Sequence, residues 1–261
     1  MPELHFDVHG ERGPFLLLVH GMLSSRAQWL ENLAPLELFC RPVVVELFGH
    51  GRSPAPDDPS RYAPENYVAE FESIRSALGG ERWFICGQSL GAALTLRYAL
   101  DHPDAVLAQV LTNSMSAFAD GDWAARARPV LEAQARQIRE NGRRALDAHP
   151  FNPSNSRRLP PQLRSALVAD YKLHDPLGIA YTSLYTVPNS SVRARVAENL
   201  VPALLVVGER EKAFKDQALY AERTIPNIEV VRLDAGHAVN AEAAGPFNQA
   251  VTMFLQTSLE L

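Results

Sequence analysis

Short apolar runs recur along the chain and alternate with longer stretches in which apolar positions follow a helical spacing. Nearly every position in the short runs is apolar, which is typical of parallel strands covered on both faces. We predict four strong strands and two weaker ones: 15–20, 43–47, 83–86 and 204–207, then 105–111 and 228–233. Helices are predicted over 64–78, 90–100, 217–224 and 241–255. This alternation predicts an α/β fold with a mostly parallel sheet flanked by helices.

The alternation stops between about residues 114 and 199. This stretch contains no convincing strand run and has several proline-rich turns. Its first helix is indicated by apolar residues that share one face: Trp123, Ala127, Val130, Leu131, Ile138 and Leu146. A mostly helical insertion of this kind usually covers the strand ends of a sheet. We therefore predict a core of residues 1–113 and 200–261 and an inserted helical cap of residues 114–199.

Composition narrows the class of protein. The 261 residues are 46% hydrophobic with a formal net charge of −5, so the chain can bury a sizeable core and lacks the basic footprint of a nucleic-acid-binding protein. No apolar run approaches the roughly 20 residues of a membrane helix, and the N-terminus does not resemble a signal peptide. Two cysteines, Cys40 and Cys86, fit a reducing compartment. We expect a cytoplasmic protein with a small-molecule substrate and no membrane or nucleic-acid partner.

The strongest chemical signal is Gly87-Gln88-Ser89-Leu90-Gly91, a G-x-S-x-G pentapeptide between a predicted strand and a predicted helix. A sharp turn there strains the backbone of the serine, so small residues must stand two positions before and after it. The turn would lift the Ser89 hydroxyl above the sheet, and the Leu90 N–H at the helix start would point at a developing oxyanion. The alternative is that Ser89 only caps the helix.

In this context the chain resembles the α/β-hydrolase fold family. His20-Gly21-Met22 follows the first strong strand, where the family keeps its second oxyanion-hole amide, so the resemblance assigns that amide to Met22. The segment from Gly49 to Ser53 is similar to the family's G-x-G-x-S turn, although Glu46 and Phe48 replace the usual acidic residue and proline before it. Gly236-His237 precedes the last helix, as in the family. The resemblance covers roughly residues 4–113 and 200–257.

The base that activates Ser89 must come from eight histidines. His237 stands on a loop after an apolar strand, downstream of the serine, as the order Ser…acid…His requires. His20 and His50 belong to turn motifs and are interpreted as structural. His5 and His9 are interpreted as surface strand residues, His102 ends a helix, and no motif surrounds His149 or His174.

The family commonly supplies its acid as aspartate in Gly-Glu-x-Asp, and here the segment reads Gly208-Glu209-Arg210-Glu211. Glu211 occupies the aspartate's place, and its extra methylene requires the loop to retreat by about one bond length, ~1.5 Å. Glu209 is a rival acid. Asp120 and Asp122 are two more, because they follow a strand whose end hosts the acid in some family members.

The resemblance implies a serine hydrolase that cleaves a small carboxylic ester or thioester through an acyl-Ser89 intermediate, with no cofactor and no metal. Family position places Trp29, Phe48 and Met115 in the pocket, although each could equally be ordinary core. A lyase or carbon–carbon hydrolase on the same triad remains an alternative, and a non-catalytic receptor is a weaker one. Residues 114–198 hold 12 Lys+Arg against 8 Asp+Glu, so an anionic substrate is also open, with Arg126 and Arg144 closest to the apolar face.

Overall fold

The computed structural model describes residues 1–259, so the last two residues of the predicted 200–261 core segment lie outside the described residues. Seven strands form one sheet: β1 (Phe6–Val8), β2 (Phe15–Val19), β3 (Arg41–Val45), β4 (Trp83–Gly87), β5 (Val106–Thr112), β6 (Ala203–Gly208) and β7 (Ile228–Leu233). Their order is β1-β3-β2-β4-β5-β6-β7. β1 runs antiparallel to β3 and the other neighbouring pairs are parallel, which confirms the predicted mostly parallel sheet.

Ten α-helices accompany the sheet within the described residues. Six belong to the sheet portion: α1 (Leu30–Leu36), α2 (Pro64–Ala77), α3 (Leu90–Asp101), α8 (Lys215–Thr224), α9 (Val239–Glu242) and α10 (Ala244–Thr257). Four lie between β5 and β6: α4 (Gly121–Asn141), α5 (Arg143–Asp147), α6 (Pro161–Tyr171) and α7 (Pro176–Tyr181). We call residues 114–199, which contain no strand, the inserted segment. Across residues 1–259, no helix combines the length and the apolar character needed to cross a bilayer.

Both faces of the sheet are buried, which explains the uninterrupted apolar runs. In β2, Leu17 and Val19 point into a cluster that α2 and α3 cover with aromatic side chains such as Phe71 and Tyr98. The intervening residues Leu16 and Leu18 point into a second cluster on the opposite face, covered by α1 and α10. Side chains alternate between the two faces of a strand, so a strand in the middle of such a sheet must be apolar at every position.

The last predicted helix, 241–255, is interrupted. α9 ends at Glu242 and α10 begins at Ala244, while Ala243 between them has φ −132° and ψ 50°. Pro246 has no backbone N–H to donate to Glu242, and its ring would clash with that carbonyl in a continuous helix. The break therefore follows from the proline.

The first helix of the inserted segment also differs from its prediction. Ile138 and Ala135 of α4 are buried, but Val130 is exposed, so its assignment to the apolar face was wrong. The buried face is centred on Leu131, Ala135 and Ile138, and Val130 falls past its edge at 3.6 residues per turn. α4 ends before Gly142, so Leu146 reaches the same cluster from α5.

Candidate active site

Ser89 stands on a strained turn between β4 and α3, with φ 54° and ψ −116°. Few non-glycine residues adopt a positive φ, and such strain persists only where the surroundings enforce it. A Cβ on Gly87 would lie 2.4 Å from the Gly91 carbonyl oxygen, and one on Gly91 would lie 2.2 Å from the Val19 carbonyl oxygen. Both glycines are therefore required by close approach of the backbone, as the motif predicts.

His237 and Glu211 reach Ser89 from two neighbouring strand ends. His237 follows β7 and Glu211 follows β6. The His237 Nε2 lies 2.9 Å from the Ser89 Oγ, and its Nδ1 lies 2.9 Å from both carboxylate oxygens of Glu211. With Glu211 ionised, Nδ1–H donates to the carboxylate and Nε2 is free to accept the serine proton. The three side chains therefore form one hydrogen-bonded chain.

Asn113 fixes Glu211 from the end of β5. Its amide nitrogen donates to Glu211 Oε2 at 2.7 Å and to the Gly208 carbonyl at 3.0 Å, while its oxygen accepts from the Gly208 N–H at 2.9 Å. Burial alone would raise the pKa of Glu211, but the hydrogen bonds from His237 and Asn113 and the attraction of the imidazole outweigh it and lower that pKa. Sequence reasoning missed Asn113, although a polar residue directly after a buried strand was a usable signal.

The other candidate acids are elsewhere. Asp120 accepts from the Trp123 N–H at 2.8 Å and caps α4. Glu209 and Asp122 are exposed. Of the four carboxylates considered from the sequence, all within the described residues, Glu211 is the one in contact with His237.

The two residues whose backbone amides are predicted to form an oxyanion hole lie near Ser89. Met22 and Leu90 line the same cavity as Ser89, and within the described chain neither N–H donates to another residue. The loop carrying Met22 is held by buried histidines: His50 Nε2 accepts from the Leu23 N–H at 3.1 Å, and His20 Nε2 accepts from the Leu47 N–H at 3.1 Å. These contacts agree with a structural interpretation of both histidines.

Four buried amide side chains connect the Met22 loop to the His237 loop. Gln28 Oε1 accepts from the Gly21 N–H at 3.4 Å, and Gln28 Nε2 donates to Asn240 Oδ1 at 3.3 Å. Asn240 donates to the Gln28 carbonyl at 3.0 Å and to Asn32 Oδ1 at 3.1 Å, and Asn32 donates to Asn248 Oδ1 at 2.7 Å. We call Gln28, Asn32, Asn240 and Asn248 the amide network. It ties the Met22 loop to Asn240, three positions after His237.

Two further contacts hold the His237 loop. Gln88, next to Ser89, donates from Nε2 to the His237 carbonyl at 3.1 Å. Glu242 Oε2 accepts from the Gly236 N–H at 3.0 Å and from Arg210 Nη2 at 3.1 Å. The imidazole is therefore positioned from the turn that carries Ser89 on one side and from α9 on the other.

A cavity of about 520 Å³ opens onto Ser89 and His237. Its walls come from the sheet portion, including Met22 and Gln88, and from the inserted segment, including Trp123, Leu131 and His149. This volume lies within the usual range of ligand sites, about 300–1,000 Å³.

Of the three residues predicted to line the pocket, one lines the cavity and two do not. Met115 lines the cavity, but Trp29 and Phe48 do not, so both of those predictions were wrong. Trp29 is fully buried against the sheet because its neighbour Gln28 takes the cavity side of the short helical turn. Phe48 packs edge-on against Tyr62 and beside Tyr67.

The described residues 1–259 contain no group of three or more His, Cys, Asp and Glu side chains placed to hold a metal ion. Cys86 is buried in β4, and burial raises the pKa of its thiol, so it is not an activated nucleophile. The chemistry that the site offers is that of its serine, imidazole and carboxylate.

The comparisons with known proteins identify the family of the chain. A family model of the α/β hydrolase fold matches residues 14–244, and the chain belongs to that family. A Bacillus subtilis protein provisionally named 2-succinyl-6-hydroxy-2,4-cyclohexadiene-1-carboxylate synthase is 27% identical, covering 92% of this chain and 89% of its own. A carboxylesterase of Bacillus subtilis is 25% identical, covering 97% and 84%. The crystal structure of an enol-lactonase from Burkholderia xenovorans superposes with a TM-score of 0.81 at 23% identity, covering 97% and 96%. Within the family, the chain is an enzyme of the hydrolase type.

Proposed function

We propose that the chain is a serine hydrolase that cleaves a carboxylic ester or thioester through an acyl-Ser89 intermediate. The observation that carries this proposal is the hydrogen-bonded chain from Ser89 Oγ through His237 to Glu211. A serine hydroxyl is a weak nucleophile unless a base accepts its proton during attack, and His237 Nε2 is within hydrogen-bond distance to do so.

The mechanism follows from the placement of these groups. Ser89 attacks the ester carbonyl while His237 takes its proton, and Glu211 stabilises the imidazolium that forms. The N–H groups of Met22 and Leu90 bind the tetrahedral oxyanion. His237 then returns the proton to the leaving alcohol or thiol. In the second half it deprotonates water, which releases the acid and regenerates Ser89.

The inserted segment acts as a cap in this proposal. It contributes one wall of the cavity, so a substrate lies between it and the strand ends. The core of 1–113 and 200–261 supplies the reacting groups, and residues 114–199 supply much of the substrate contact.

A lyase that uses the same side chains for proton abstraction is the second candidate. It is favoured by the similarity to the Bacillus subtilis protein, whose name describes the synthesis of a carboxylate. Its base would again be Ser89 with His237, so the triad geometry suits both reactions. The two candidate reactions can be distinguished by whether the protein prefers an uncharged ester or a substrate that carries a carboxylate.

Ester turnover tests the proposal. We expect hydrolysis of p-nitrophenyl esters with short to medium acyl chains, and a loss in kcat of at least about 1,000-fold in Ser89→Ala. Ser76→Ala, an exposed serine on α2, is the matched control and should keep the wild-type rate. Absence of turnover by the folded wild-type protein, or retained turnover in Ser89→Ala, would refute a serine esterase.

A further inference from the structure

The cavity wall offers no positive charge to a substrate. Among residues 1–259, no lysine or arginine lines the cavity. Arg126 and Arg144, the candidates from the sequence, lie outside the lining. Glu242 does line it, but its carboxylate is already held by Arg210 and the Gly236 N–H. Arg158 lies beside Gly236 but is not part of the lining. A substrate carboxylate buried in the cavity would therefore lose hydration without a cation in the lining to replace it.

Most of the remaining wall is apolar or carries uncharged amides. Methionine, aromatic and leucine side chains dominate it, among them Met22, Met115, Trp123, Leu131, Phe151 and Leu167. Gln134 is one of the amides on the inserted segment. Such a surface favours an alkyl or aryl chain, and the serine hydroxyls and side-chain amides among the lining residues are the polar groups that can position it.

His149 lines the cavity together with serines such as Ser116 and Ser156, and it is fixed in place. Its backbone N–H donates to the Leu146 carbonyl and its carbonyl accepts from the Asn152 N–H, both at 2.9 Å. Its Nδ1 accepts from the Phe151 N–H at 3.2 Å, and its ring packs beside that of Phe151. An imidazole whose Nδ1 accepts a hydrogen bond carries its proton on Nε2.

The imidazole of His149 is also uncharged. The residue is 6% exposed, and burial lowers the pKa of its ring. Its Nε2–H makes no hydrogen bond within the described chain, although the residue lines the cavity. This nitrogen keeps accessible surface, so a water or a group bound in the cavity can accept its hydrogen bond. The cavity is the place from which an acceptor can come.

We infer that the substrate is an uncharged ester whose acyl chain carries a carbonyl or ether oxygen that accepts a hydrogen bond from His149 Nε2. This inference rests on the proposed function. The acyl part stays on Ser89 until water releases it, so a group fixed in the cavity wall acts on it in both halves of the reaction. His149 then contributes to the choice among neutral esters, and the lack of a cation in the lining disfavours carboxylated ones.

Matched p-nitrophenyl esters test both parts. One set has plain alkanoyl chains, a second has a ketone at carbon 4, 5 or 6, and a third ends in a carboxylate at the same length. After subtraction of the spontaneous reaction, we expect one ketone position to raise kcat/KM about fivefold over the plain chain, a typical effect of one hydrogen bond. The carboxylated ester should be slower than the plain ester at least tenfold, with no gain at low salt.

The variants identify the donor. In His149→Phe the ratio of ketone to plain ester should fall to about one, whereas His149→Gln, which keeps an N–H near the same place, should retain part of it. His102→Phe is the control, since His102 packs against Tyr98 outside the cavity and should leave the ratio unchanged. The charge comparison uses the wild-type chain alone, so it does not depend on the folding of His149→Phe.

The outcomes distinguish a failure of the substrate inference from a failure of the proposed function. A carboxylated ester that equals or exceeds the plain one, or a ketone preference that survives in His149→Phe, overturns the substrate inference while ester hydrolysis stands. Loss of that anionic preference in Arg158→Gln would then point to Arg158, which lies beside Gly236, as the anion partner. If the folded wild-type chain hydrolyses none of the esters, the proposed function itself fails and the inference falls with it.

Discussion

Glu211 occupies a position at which the family commonly has an aspartate, and the side-chain amide of Asn113 holds its carboxylate in place. Both carboxylate oxygens of Glu211 lie 2.9 Å from His237 Nδ1, and Asn113 holds one of them at 2.7 Å. The same asparagine is bonded to both backbone polar groups of Gly208 at the end of β6. The longer side chain of Glu211 is therefore held at the C-terminal ends of β5 and β6.

We expect Glu211→Gln to lower kcat by at least about 100-fold, because the imidazolium formed during attack loses its carboxylate partner. Glu211→Asp should retain part of the activity. Glu209→Gln, an exposed glutamate two residues away, is the control and should remain within about twofold of wild type. Equal losses in both glutamine variants would remove Glu211 as the acid.

Asn113 gives a second test at this scale. Asn113→Ala should lower kcat about tenfold or more with little change in KM, because Glu211 and the Gly208 backbone lose their partner while the cavity wall is untouched. Its unfolding free energy should fall by about 1–3 kcal/mol, as expected when buried polar groups are left unpaired. The control is Asn141→Ala at the exposed end of α4. A change confined to stability, with kcat intact, would make Asn113 purely structural.

At the scale of elements, the sheet and the turn that carries Ser89 could be predicted from the sequence, but the hydrogen bonds that link distant loops could not. Every strand boundary predicted from an apolar run lies within two residues of the observed one, because burial on both faces leaves a local signal. Ser89 was predictable because glycine spacing and the strand-to-helix context are local too. Gln28 and Asn240, in contrast, are 212 residues apart in sequence, and each alone looks like an ordinary surface amide.

The inserted segment was the least predictable element. Its helical character followed from spacing, but His149 was passed over because no motif surrounds it. Its relevance depends on tertiary packing, which buries the ring and directs the residue to the cavity. The prediction that Trp29 lines the pocket was wrong for a related reason. Consecutive residues on a helical turn face different directions, and the sequence alone does not say which of Gln28 and Trp29 faces the cavity.

The amide network should behave as one unit. Asn240→Ala is expected to lower kcat about tenfold with a smaller change in KM, because it loosens the Met22 loop and the His237 loop together. Combining it with Gln28→Ala should cost less than the sum of the single losses, since bonded residues couple by about 0.5–3 kcal/mol. The cycle is measured as kcat for the four chains, with exposed Asn189→Ala as control. Strict additivity would show that the two loops are held independently.

At the scale of the whole molecule, three buried histidines join the sheet portion to the inserted segment. His50 lies between His20 and His174, with ring centroids 5.2 Å and 5.1 Å away, and His174 Nδ1 accepts from the Gly51 N–H at 3.0 Å. Burial lowers the pKa of His20 to about 4 and that of His174 to about 3, and it places the pKa of His50 well below its ordinary value. All three are neutral in the folded protein near pH 7.

This cluster sets the direction of the pH dependence of stability. In the unfolded chain the three histidines return to an ordinary pKa of about 6.5, so between pH 6.5 and pH 4 the unfolded state binds more protons and stability falls as pH falls. Each histidine contributes a slope of up to about 1.4 kcal/mol per pH unit in that window. Urea unfolding at pH 7, 6 and 5 measures how the free energy of unfolding changes with pH. An unfolding free energy that stays constant over this range would contradict the burial of neutral histidines.

The central claim is that Ser89 is the nucleophile, activated by His237. Treatment of the folded protein with an alkyl fluorophosphonate, followed by peptide mass spectrometry, tests it most directly because the reagent reacts with an activated serine and leaves a permanent mass label. We expect one adduct, on Ser89, formed much more slowly in His237→Gln. An adduct on another residue, or an unlabelled but folded wild-type protein, would contradict the account.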